Sequence, residues 1–166
     1  MVLLSGKPRE FGVLEQPVNH RDIALSGALV LAGFSGSVAL LGAVRWYRGE
    51  ASRVFWLGVR AGQVIAGAYA LLAGVLYLSN DPPSSNLFYL YALLPVVIGF
   101  VAEQLRVISA DHVLGSRDLD SAAEVGELPI PQQHEIVIAS VRREMGVMAL
   151  AALVVCFLAL RAWGTY

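Results

Sequence analysis

Four long apolar stretches constrain this chain more than any other feature: Ile23 to Val44 without a charge, Val54 to Leu78 with only Arg60, Leu87 to Ile108, and Met145 to Trp163. Each approaches the roughly 20 helical residues that cross the hydrocarbon core of a bilayer. The composition agrees, since 57% of the residues are hydrophobic and 15% charged, against about 25% charged in soluble domains. The expected fold is an all-α integral membrane protein. Its form is an antiparallel four-transmembrane-helix bundle with a long loop before the last helix.

The spans are expected at about 23–44, 54–78, 87–108 and 145–163, inside one domain covering residues 23–163, after an N-terminal interfacial segment of residues 1–22. The opening MVLLSGKPRE places its charges after a short apolar start, unlike a cleaved signal peptide. Asn19, His20, Arg21 and Asp22 lead into the first helix, with Asp22 near its start. RWYRGEASR joins spans one and two, and SNDPPSSN joins two and three, where Pro82 and Pro83 end one helix and Asn86 or Ser85 caps the next. Such short links make successive spans antiparallel neighbours. The third connection, residues 109–133, is the long one; it holds a capping-box pattern, SAAE at 121–124, then Pro129 and Pro131 before a helix that starts at about residue 132.

Arginine and lysine counts orient the bundle. Arg45, Arg48, Arg53, Arg106, Arg117, Arg142 and Arg143 fall on one side, against Lys7, Arg9, Arg21 and Arg161 on the other. The positive-inside rule then makes this a multipass protein of the cell membrane with both termini on the non-cytoplasmic side.

Polar residues inside the spans are the candidate site. With alternating directions, Arg60 and Glu103 come to the same cytoplasmic end, about one turn inside it, where they are placed to pair. Gln63, Gln104 and Arg106 share that slab, and Arg142, Arg143 and Glu144 lie at its edge. Three readings stay open: boundary arginines that snorkel to headgroups, a structural ion pair, or a ligand or proton site. Glu103 favours the latter two, because a carboxylate is too short to snorkel far. No residue is singled out as catalytic.

Gly58, Gly62, Ala66, Ala70 and Gly74 recur at every fourth position of span two, a small-residue ridge that lets another helix approach closely. Ala28, Ala32 and Gly36 make a matching row on span one. In span three, Pro95 removes a helical hydrogen bond and frees the Tyr91 carbonyl, and Gly99 and Glu103 follow on the same face.

No cofactor and no metal is expected. His20, His112 and His134 all lie outside the apolar stretches, which argues against haem held between membrane helices. His112 and His134, with Asp111 and Glu135, read as solvated interfacial groups rather than as metal ligands. The single Cys156 lies in an apolar run and offers no disulfide within the chain. Trp46, Tyr47, Trp56, Tyr77, Phe88, Tyr89, Tyr91, Trp163 and Tyr166 fall mostly at span ends and read as aromatic belts. A net charge of −1 provides no basic surface for nucleic acid.

Arg60 and Ala61 resemble the start of the second-helix signature of the MAPEG proteins, small trimeric glutathione-using membrane enzymes. Val64 and Gly67 stand where that signature has Asn and Glu, so no activity is carried over. The expected function is that of a non-enzymatic bundle that self-associates or joins other membrane subunits, in contact with membrane lipids. The alternative is a membrane enzyme or carrier binding an amphiphilic or anionic small molecule at the polar cluster.

Overall fold

The computed structural model describes residues 19–78, 85–115, 126 and 129–166, with side chains on the third helix described as far as Ile108. They form four helices: α1 (His20–Arg48), α2 (Arg53–Leu78), α3 (Leu87–Gly115) and α4 (Ile130–Trp163). Each contains a segment long and apolar enough to cross a membrane, and no strand occurs among the described residues. The capping-box pattern at 121–124 lies outside the described residues.

The helix ends follow from local chemistry. Asn19 Oδ1 accepts from the Arg21 amide at 3.2 Å, and Asp22 sits in the first turn, where a negative charge meets the positive end of the helix dipole. Gly49 ends α1 at φ 69°, a left-handed conformation that glycine adopts without penalty. The amides of Gly49 and Glu50 then return to the carbonyls of Trp46 and Arg45. Ser52 Oγ caps α2 by accepting from the Phe55 amide, and Ser85 Oγ, rather than Asn86, receives the Leu87 amide before α3. α4 begins at Ile130, two residues ahead of the expected start, with Pro131 inside its first turn. Proline is tolerated there because an amide in that turn has no helical acceptor to lose.

The helices are arranged as a ring. α4 packs closely on α1 and α3, whereas α2 rests more lightly on the same two helices and scarcely touches α4. The core divides into two clusters. One gathers Ala24 from the start of α1, Leu76 from the end of α2, Phe88 from the start of α3 and Ala159 from the end of α4. The other gathers Val38, Phe55, Val59, Ala102, Met145 and Ala149. This partition implies that successive helices alternate in direction.

Small residues set the closest approach at the α1–α4 interface. A Cβ on Gly36 would lie 3.3 Å from Cys156 Sγ, and one on Gly146 would lie 3.1 Å from Trp46 Nε1. Gly42 is wedged between the Phe55 ring of α2 and Ala149 of α4. The row Ala28, Ala32, Gly36 was expected to match the ridge of span two; instead Gly36 abuts α4. The reason is rotational: a helix carries small residues on more than one face, and bundle packing selects which face meets which neighbour.

Phe88 also departs from expectation. It is fully buried, edge-on to Tyr69 at 6.4 Å and to Tyr166 at 4.9 Å between ring centroids. It is a core residue at the end of the bundle, whereas Tyr47 and Tyr77 are largely exposed and fit a belt. The Tyr69 hydroxyl, buried with its ring, donates to the Ala24 carbonyl at 3.4 Å and so ties α2 to α1.

Candidate functional site

Arg60 and Gln63 lie three residues apart on α2, and Glu103 and Arg106 three apart on α3, so each pair shares a helix face. The two faces meet. Arg60 Nη1 donates to Glu103 Oε1 at 2.8 Å, and Gln63 Nε2 donates to the same oxygen at 2.9 Å. Arg60 also donates to Gln63 Oε1 at 3.0 Å. Arg106 Nε stands 3.4 Å from Glu103 Oε2, so both carboxylate oxygens are engaged by groups of the chain itself.

The cluster is graded in exposure. Glu103 retains 24% of its side-chain accessibility and Arg106 29%, whereas Arg60 retains 57% and reaches inward from the rim. Of the three readings left open by the sequence, solitary snorkelling does not describe Arg60, because its guanidinium turns across to α3. With two guanidinium groups and one carboxylate the cluster carries a net positive charge.

Gln104 does not join it. One residue along the helix from Glu103, it points about 100° away and is exposed. Trp56 does join, with the Arg106 guanidinium carbon 5.3 Å from its ring centroid. The sequence offered a signal for this: Trp56 precedes Arg60 by four residues and so lies on the same face of α2.

Gln63 is also the boundary between the cluster and the bundle interior. Inward of it lies a cavity of about 50 Å3 whose lining includes Ser35, Gly62, Gln63, Pro95, Gly99 and Met148. Pro95 and Gly99 thus face the cavity while Glu103, a turn further on, faces its partners on α2. The cavity has room for about three waters. It falls far short of the 300–1,000 Å3 of ordinary small-molecule pockets.

The ridge of span two is divided. A Cβ on Gly58 would meet Val38 at 3.0 Å and one on Gly62 would meet Phe34 at 3.5 Å, both on α1, and Ala66 is buried. Ala70 is half-buried, while Gly74 is exposed and faces open space. His112 and Asp111 belong to the part of α3 whose side chains lie outside the described residues, so their relation to His134 and Glu135 does too.

Comparison with protein-family models, with curated proteins and with solved structures finds no match to this chain.

Proposed function

We propose that this chain is a multipass membrane protein, an antiparallel bundle of four spans with both termini on the non-cytoplasmic side, acting as a non-enzymatic scaffold that self-associates or joins a larger membrane assembly. The observation that carries the assembly role is the outer face of α2. Gly67 and Gly74, seven residues apart, each leave open space where a side chain would stand, beside exposed Val64, Leu71 and Leu78. Among the described residues nothing packs against either position, and in lipid such positions permit close approach of another helix.

The polar cluster fits a structural role in this reading. Glu103 is held by Arg60, Gln63 and Arg106, an arrangement that keys α2 to α3 where apolar packing between them is light. An enzyme or carrier acting on an amphiphilic or anionic small molecule would need space at that cluster, and the adjoining cavity is too small for such a ligand.

Native mass spectrometry of the full chain released from mild detergent tests the proposal. The expected result is an oligomer or a co-purifying membrane subunit, lost on Gly67→Leu with Gly74→Leu. Monomers without any partner overturn it.

A further inference from the structure

Two grooves between α1 and α4 share Trp46. The first, about 490 Å3, is apolar: Gly36, Ala39, Ala43 and Gly146 form its floor, with Leu40 and Leu150 among its walls. The second, about 580 Å3, is lined by Trp46, Glu135, Ile138, Ala139, Arg142 and Arg143. They follow one face of α4, because residues 135, 139, 142, 146, 150 and 153 recur at helical spacing.

Depth sets the chemistry of each groove. The apolar run of α4 starts at Met145, so Arg142 and Arg143 stand just beyond it, at the level of lipid headgroups. The lining of the apolar groove extends about 15 Å along α1, ten residues at 1.5 Å each from Trp46 back to Gly36. Arg142 lies 5.5 Å from the centre of the Trp46 ring, where the two grooves join. Neither arginine takes part in the ion pairs among the described residues. Among the described residues of the lining, two guanidinium groups stand against one carboxylate, Glu135.

We infer that this crevice binds one anionic phospholipid, its phosphate between Arg142 and Arg143 and one acyl chain along the floor of small residues past Trp46. A guanidinium pair recognises phosphate by charge-assisted hydrogen bonds, and a floor without bulky side chains admits a chain that ordinary helix surfaces exclude. Lipid is favoured over a second copy's helix because charge and apolar groove are aligned along the membrane normal, as they are in a phospholipid. The inference rests on the membrane residence proposed above.

The test uses the purified full chain in mild detergent, titrated with phosphatidylglycerol, with phosphatidylcholine of the same acyl chains, and with soluble glycerol phosphate, and read by native mass spectrometry. One phosphatidylglycerol per chain is expected, retained about tenfold better than phosphatidylcholine, whose phosphate is the same but whose quaternary ammonium brings a like charge to the two guanidinium groups. Arg142→Gln with Arg143→Gln should remove that preference. Ala43→Phe, at an exposed position that fills the groove without entering the core, should weaken both lipids.

Equal retention of the two lipids overturns the inference, as does unchanged binding to the Ala43→Phe protein. Glycerol phosphate binding as tightly as the lipid would make the site one for free phosphate and also overturns it. So would a dimer abolished by Ala43→Phe, which would place a second copy in the groove. Carbonate washing of membranes separates the two proposals: release of the wild-type chain removes the membrane reading, whereas retention with no lipid preference removes only the lipid site.

Discussion

The Gln63 side-chain amide donates to Glu103 Oε1 at 2.9 Å, and the same Gln63 closes one wall of the cavity inside the bundle. A single residue thus separates the charged seam between α2 and α3 from the apolar interior. Glu103 is held from α2 by both Arg60 and Gln63, so its removal strands more groups than removal of either partner.

That asymmetry predicts the order of effects. Glu103→Ala should destabilise the protein by about 2–4 kcal/mol, because two guanidinium groups lose their shared counter-ion. Arg60→Ala should cost about 1 kcal/mol or less, since Arg60 is more than half exposed and screened. The double substitution Arg60→Ala with Glu103→Ala should cost less than the sum of the single losses, with a coupling of about 0.5–3 kcal/mol. Thermal unfolding in one detergent measures all four proteins; additive losses would count against the pair as a unit.

Gly42 and Gly74 should respond oppositely to alanine. At Gly42 the new methyl meets the Phe55 ring and stands 2.8 Å from Ala149 Cβ, both rigidly packed, and overpacking of this kind costs about 1–3 kcal/mol. At Gly74 it meets open space, and alanine's higher helix propensity favours the folded state by up to about 1 kcal/mol. Midpoint shifts of the same sign would show that α1 does not approach α2 and α4 as closely as described.

Phe88→Ala should be among the most damaging single truncations, about 3–5 kcal/mol, because it empties the space between Tyr69, Tyr89 and Tyr166 at one end of the bundle. Tyr47→Ala, at a position 82% exposed, should shift the unfolding midpoint little. Comparable losses at the two sites would return Phe88 to the aromatic belt.

The orientation can be checked by labelling. In a Cys156→Ala background, Ser85→Cys should react with a membrane-impermeant maleimide on intact cells, and Ala51→Cys only after the cells are opened. The reverse pattern would invert the bundle, and with it the side on which Arg142 and Arg143 meet lipid.

Four long apolar helices were legible in the sequence, because length and hydropathy are properties of each segment alone. Ser85, one of the two caps expected for α3, acts on its own helix terminus and needs no tertiary partner. The depth match of Arg60 with Glu103 was legible for the same reason: position along a helix is proportional to residue number. Which faces turn toward each other was not. Helical periodicity sets the angle between residues on one helix but leaves the rotation of each helix against its neighbours free, and side-chain packing decides that rotation. Only the tertiary structure therefore directs Gln104 away from the cluster, brings Trp56 into it, buries Phe88, and turns Gly36 toward α4 rather than α2.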